Sequence, residues 1–386
     1  LFSERASWEL RPTRIAERLA AMRAAGETVL DLTESNPTRC EFSYPEEAIL
    51  GALADPRGLA YDPDPRGLLS ARKAIARSYG GIDASRLVLA ASTSEAYAWL
   101  FKLLCDEGDE TLVPAPSYPL FDFLAGLESV RVVRYPLFYD AAWRLDLDAI
   151  ARLVGPRTRA IVVVHPNNPT GSFLTHQEID ALRGLACERN LAIVSDEVFA
   201  AYSFTEEAFP RTLAGETRVL TFSLGGLSKE AGLPQMKLSW IVVSGPEALR
   251  DEALERLEII GDTFLSVGTP VQAGCESLLR AGEPVRRAIL DRVRANRAAL
   301  LDARQPADPW ECLHADGGWY AVLRVPRVMS DEDWALDLLE SEKVHVHPGD
   351  LFDFPTDGHL VVSLLPPADR FREGIARISA RIRARV

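Results

Sequence analysis

A parallel α/β layer is the fold class this sequence predicts, and three observations predict it. From Leu87 to Val243, short apolar runs alternate with amphipathic stretches of helical spacing. Several of these runs, Leu87–Ala90 and most of Ala160–His165 among them, are apolar at successive positions with no polar alternation. A strand can be apolar on both sides only where its sheet is buried on both faces, as parallel sheets covered by helices are. Towards the C-terminus the pattern changes: Gly318–Val325 and Leu360–Leu364 read as strands separated by a helical stretch, Asp331–Glu342, and closed by another from Ala368. That is the pattern of a smaller α+β unit.

Each element has its own grounds. Trp8–Ala25 is amphipathic and predicts a helix, followed by a short strand, Val29–Leu32. SNPT (Ser35–Thr38) is a turn whose proline cannot sit inside a sheet. Glu46–Ala54 reads as a helix, and YDPDPRG (Tyr61–Gly67) as a proline-stiffened loop before the helix Leu68–Tyr79. Strands then follow at Leu87–Ala90, Thr111–Val113, Val130–Tyr135, Ala160–His165, Leu191–Val194 and Val219–Leu224, with a further apolar run at Leu238–Val243. Helices are expected between them at Glu95–Cys105, Leu120–Leu127, Leu147–Val154 and His176–Arg189. After Pro246 helical spacing runs to about Leu279 with a break near Gly268–Pro270, and Pro284–Arg304 reads as a further helix.

Composition narrows the function classes. The chain has 386 residues, 47% of them hydrophobic, and a formal charge of −13. That balance suits a globular chain large enough for two domains and argues against nucleic acid or an anionic membrane as partner. No apolar run approaches the roughly 20 residues of a membrane span. LFSERASWEL does not read as a signal peptide, and an opening at Leu1 is expected of a chain lacking a few leading residues. Five scattered cysteines without CxxC spacing point away from disulfides and metal, and towards a reducing cytoplasm.

The stretch Thr221–Trp240, TFSLGGLSKEAGLPQMKLSW, carries the chemistry. Of 43 basic residues only five are lysines, and two of those, Lys229 and Lys237, fall here. Arginine holds its proton at any working pH, whereas a desolvated lysine can lose it and form a Schiff base. A pair of surface lysines on a loop is the plainer reading of this stretch taken alone.

Ligands of parallel sheets bind at the carboxyl ends of the strands, so the residues following each strand matter most. Leu87–Ala90 leads into ASTSEA, where Thr93 and Ser94 open a helix able to hold a phosphate; Ser92 with Glu95 also reads as a simple capping box. PAPSYP presents Tyr118 on a stiff loop, as packing or as a stacking surface. HPNNPTG offers Asn168, within what is otherwise a dense cluster of turn formers. Asp196 and Glu197 directly follow a buried strand, where a carboxylate is costly unless paired with a cation. Together these fit an aromatic, phosphorylated aldehyde with a ring nitrogen, pyridoxal phosphate. Lys229 would condense with the aldehyde, Asp196 keep the ring nitrogen protonated, and Tyr118 stack on the ring. Ser94, the amides around Thr93, and Lys237 would hold the phosphate.

With HPNNPTG, SDEVF, GLSKEAGLPQMKLSW, YDPDPRGL and APSYP in this order, the chain resembles the class I/II aminotransferases of the pyridoxal phosphate fold-type I superfamily. The resemblance runs from SNPT to HLVVSLLPP. It implies a large cofactor-binding domain over residues 44–272, with a mostly parallel, seven-stranded type of sheet. It also implies a small domain made of 1–43, with an N-terminal arm, and 273–386. A homodimer with shared active sites is implied, in which Tyr61 reaches the neighbour's cofactor phosphate. By the same resemblance Asn168 bonds the cofactor's ring oxygen, Lys237 replaces a phosphate-binding arginine, and the SNPT turn, with Asn36, lies at the mouth of the site. The implied reaction passes an amino group from an amino acid or related amine to a 2-oxo acid; a lyase or racemase would use the same Lys229 Schiff base. A non-catalytic regulator domain of this fold is the remote alternative, set against the acidic charge and the lack of a preceding helix-turn-helix stretch.

Three positions depart from the family pattern. Phe199 stands where a tyrosine bonds the ring oxygen, leaving Tyr202 as the candidate substitute. Gly226 stands where a serine contacts the phosphate. Val361, in HLVVSLLPP, stands where an arginine would grip the substrate carboxylate in a two-pronged fork. Arg39 is the first candidate for the missing cation, with Arg5 behind it, and common α-amino acids are expected to be poor donors.

Overall fold

The computed structural model describes residues 1–205, 209 and 212–386. Its centre is an eight-stranded sheet. In chain order the strands are β1 (Leu87–Ala90), β2 (Glu110–Ala115), β3 (Arg131–Asp140), β4 (Ala142–Leu145), β5 (Thr158–Val164), β6 (Ala192–Asp196), β7 (Thr221–Gly226) and β8 (Ser239–Ser244). They lie side by side as β1-β8-β7-β6-β5-β2-β3-β4. The run from β7 to β3 is parallel, whereas β8 is antiparallel to both its neighbours and β4 is antiparallel to β3.

Six of these strands are those the sequence predicts; β8 coincides with what reads in sequence only as an apolar run, and β4 is additional. It folds back from β3 through Ala141, at φ 56°. A hairpin turn of that hand is usually marked by Gly or Asn, and alanine gave no such sign.

The apolar runs are explained by what lies on either side. Along β5, Ala160, Val162 and Val164 enter one core while Ile161 and Val163 enter another. β1 divides likewise, Val88 and Ala90 from Leu87 and Leu89. Successive side chains point to opposite faces, and both faces are covered.

Two helices differ from their expected spans. The first begins at Arg14, not Trp8, because Thr13 caps it after Pro12 and its hydroxyl accepts from the Ala16 amide at 3.2 Å. Trp8 instead lies in the arm, edge-on to Phe123. The second is one helix, Cys275–Ala303, running through Pro284. Pro284 is exposed, so the carbonyl it leaves unbonded faces water while the opposite side of the helix stays packed. That helix serves two cores. Cys275, Leu278 and Ala281 join Leu227 and Ala231, whereas Val285, Ile289 and Val293 join the C-terminal unit. At Gly282 a Cβ would run into Ala231, so helix and lysine loop touch without a side chain between them.

The C-terminal unit carries an antiparallel four-stranded sheet centred on Tyr320–Arg324 and His359–Ser363. Its core takes Ile15, Met22 and Leu32 from the start of the chain together with Trp319, Trp334 and Phe371 from the end. Among the described residues no helix is long and apolar enough to cross a membrane, and no cluster of side chains could hold a metal ion.

Candidate active site

The carboxyl ends of β5, β6 and β7 open onto a cavity of about 320 Å³ lined by Asn168, Asp196 and Lys229. That volume lies at the small end of the range for ligand sites.

Lys229 sits in the short helix Leu227–Glu230 that follows β7. Its Nζ lies 4.5 Å from the centre of the Trp319 ring and 5.4 Å from that of Phe199. Burial among these rings pulls its pKa down to about 8, against the pull of Asp196, which favours the charged form. About a tenth of the amine is therefore unprotonated at pH 7, far more than for an ordinary lysine, as a nucleophile or base requires.

Asp196 ends β6 and is 7% exposed. It accepts hydrogen bonds from the Tyr97 hydroxyl at 3.1 Å and the Val198 amide at 3.2 Å. Burial still outweighs these bonds and lifts its pKa to about 6. A carboxylate in this position gains from a cationic partner, and a protonated ring nitrogen is such a partner. Glu197, one residue on, points to the other face. It accepts from the Leu213 amide and the Ser223 hydroxyl, both at 2.8 Å, and burial lifts it to about 7.

Asn168 follows β5 in a loop whose His165–Pro166 and Asn168–Pro169 bonds are both cis. Its Oδ1 is buried with no hydrogen-bond partner among the described residues, so the site holds a polar atom that a ligand would satisfy. Thr93 and Ser94 open the helix Thr93–Leu104, and both line the cavity. The capping reading holds as well: the Ser92 hydroxyl accepts from the Glu95 amide at 3.1 Å, and Glu95 reaches back to the Ala91 amide at 2.6 Å. Capping Glu95 still leaves the first-turn amides of Thr93 and Ser94 towards the cavity end of the helix. Tyr118 lines the cavity too, together with Ser94 and edge-on to Phe121.

Other expected residues lie elsewhere. The Tyr202 hydroxyl donates to the Lys229 carbonyl at 2.6 Å, so it anchors the lysine's backbone and does not substitute for the tyrosine missing at Phe199. Asn36 spends its side-chain oxygen on the Thr38 amide and hydroxyl, and its neighbour Ser35 lines the cavity instead. Arg39 is exposed, 3.9 Å from Glu34, and faces a separate surface hollow. Arg5 donates to the Leu127 carbonyl at 3.3 Å. Neither arginine enters the cavity. Lys237 is exposed in left-handed backbone and does not line it either. Tyr61, 82% exposed, faces solvent. Val361 is fully buried in an apolar core with Val322 and Phe352.

The structure also adds residues. Tyr97, one turn into the Thr93 helix, reads in sequence as a core aromatic. Trp319, just before the strand Tyr320–Arg324, packs on Lys229, and Tyr320 lines the cavity together with Ser35. Ser239 opens β8, and because β8 runs antiparallel its first residue arrives at the edge where its neighbours end. Looking only after strands overlooks a residue that precedes one.

Comparison with known proteins agrees with this geometry. The family model described as "Aminotransferase class I and II" matches residues 27–378. The glutamate-pyruvate aminotransferase AlaA of Haemophilus influenzae is 28% identical over 366 residues, covering 92% of this chain and 90% of the relative. The arginine–pyruvate transaminase AruH of Pseudomonas aeruginosa is 28% identical over 384 residues, covering 97% and 94%. Among solved structures, an alanine aminotransferase from Pyrococcus furiosus matches with a TM-score of 0.89 at 25% identity, with 100% of each chain covered. With the family model spanning most of its length, the chain belongs to the class I and II aminotransferases.

Proposed function

We propose that this aminotransferase holds pyridoxal phosphate in the 320 Å³ cavity and works through Lys229. The single observation that carries this reading is the convergence, at one sheet edge, of an amine with depressed pKa, a buried carboxylate in no salt bridge among the described residues, and an unsatisfied amide oxygen. The family as a whole depends on this cofactor, which when bound supplies an aldehyde for amines and an electron-withdrawing ring.

The chain's own residues do the rest. Lys229 would hold the cofactor through its amine and, once that amine is free, would take and return a proton at the substrate's Cα. Asp196, steadied by Tyr97, keeps the ring nitrogen protonated. Tyr118 packs on the ring, and Asn168 bonds its oxygen. Thr93, Ser94 and the first-turn amides take the phosphate; Lys237, exposed and outside the cavity lining, is the expected counter-charge that this geometry leaves unsupported. Tyr61 serves the site of a second copy in a homodimer. The division into a large domain over 44–272 and a small one over 1–43 and 273–386 belongs to the same reading, as does a cytoplasmic setting.

Relatives named for pyruvate suggest a 2-oxo acid of that kind as acceptor. For the donor, Val361 and the outward Arg39 and Arg5 leave the carboxylate to neutral hydrogen bonds from Asn168 and backbone amides. The KM for simple α-amino acids should then sit above about 1 mM, the upper end of the usual range.

A half-reaction tests the proposal. Adding an amino donor to the cofactor-loaded protein should bleach the visible band, and adding pyruvate should restore it. A band that persists while the donor is consumed would indicate lyase or racemase chemistry instead.

A further inference from the structure

Gly226 closes β7 in extended backbone, φ −176°, which any residue adopts, so conformation does not require glycine there. Space does. A Cβ on Gly226 would lie 2.5 Å from the Oγ of Ser239 and 3.2 Å from its Cβ. Ser239 is the register partner of Gly226 on one side of β8 and of Ala90 on the other. Its hydroxyl therefore fills, from the facing strand, the corner that a side chain at 226 would fill.

That corner belongs to the anion end of the cavity. Ser239 lines it together with Ser92, Thr93 and Ser94, at the N-terminus of the 12-residue helix Thr93–Leu104. Ser239 is 2% exposed and lines the cavity, so its hydroxyl stands where a ligand oxygen could bond it.

We propose that Ser239 supplies the hydroxyl that holds the cofactor phosphate, in place of the serine expected at position 226. The hydroxyl and the glycine have exchanged places across two paired strands. The proposal rests on the cofactor reading above and deepens it. It also accounts for both residues at once, since a serine at each position would crowd the other.

Equilibrium titration of the cofactor-free protein with pyridoxal phosphate, and separately with pyridoxal, tests this. Pyridoxal lacks the phosphate, so a phosphate contact shows only in the first titration. Ser239→Ala should raise the Kd for pyridoxal phosphate about tenfold, as loss of a hydrogen bond to a charged group does. Its Kd for pyridoxal should stay within about twofold. Gly226→Ser alone should also weaken the phosphorylated ligand by crowding Ser239. The double exchange, Gly226→Ser with Ser239→Gly, should return the Kd to within about threefold of the parent, a non-additivity that only a shared position gives. If Ser239→Ala binds pyridoxal phosphate like the parent, or loses both ligands equally, Ser239 does not hold the phosphate. A parent protein that binds neither ligand overturns the cofactor reading and this proposal with it.

Discussion

The two walls of the cavity are built differently. The wall made by the large sheet presents Asp196, Asn168, Lys229 and a group of hydroxyls, each at or beside a strand end. The wall made by the C-terminal unit and the start of the chain presents Tyr320 and Ser35, with Trp319 packed on Lys229, Val361 buried behind, and no cation of its own among the described lining residues. The first wall faces the part of the reaction that every donor shares. The second faces whatever distinguishes one donor from another. On the proposed reading, the difference teaches that the chemistry of this chain follows its family while its recognition of the substrate does not.

The comparison can be broken most severely at the first wall. Lys229→Ala should abolish turnover and the visible band together, because no other described cavity residue offers an amine. Asp196→Asn should lower kcat by about 100-fold or more, since an amide gives the ring nitrogen no counter-charge. Tyr97→Phe should cost about tenfold, the value of one hydrogen bond to a charged group. It should also move the acidic limb of the pH–rate profile upward, because the hydroxyl favours the ionised form of Asp196 and its loss lets burial raise that pKa further.

A pH experiment sharpens the same wall. With the Lys229 pKa near 8, the amine is mostly protonated at pH 7 and mostly free at pH 9. The rate at which cofactor-free protein condenses with pyridoxal should rise about tenfold between those values and then level off. A rate that keeps climbing towards pH 10.5 would mean the amine is not desolvated.

The walls also differed in how far they could be read from sequence. Lys229, Asp196 and Asn168 were legible because each follows a short, mostly apolar run, and such runs mark strands whose ends carry ligands. The parallel order and the helix at Thr93 followed from the same pattern. Tyr97 was hidden because an aromatic within a helix has the ordinary look of core, and nothing local ties it to a carboxylate 99 residues away. Ser239 was hidden because an antiparallel strand reverses the rule. On the second wall, nearness along the chain misled. Arg39 follows the turn that brings Ser35 to the cavity, but the short helix Pro37–Arg39 carries its side chain outward to Glu34. Tyr202 likewise lies close to Lys229, yet its hydroxyl is committed to a backbone carbonyl. Position was inferable in both cases; direction was not.

The smallest effect is expected on that second wall. Arg39→Ala should change kcat/KM for any donor by less than about twofold, because an exposed ion pair of this kind contributes little. A tenfold loss confined to carboxylate-bearing donors would show that Arg39 swings into the site, and that the two walls are less different than they look.

The most direct test of the central claim is the site of covalent attachment. Protein loaded with pyridoxal phosphate, reduced with borohydride and digested, should carry the cofactor's mass on a single peptide, at Lys229. Attachment at Lys73, Lys102, Lys237 or Lys343 while Lys229 stays free, or no reducible adduct at all, would contradict the account.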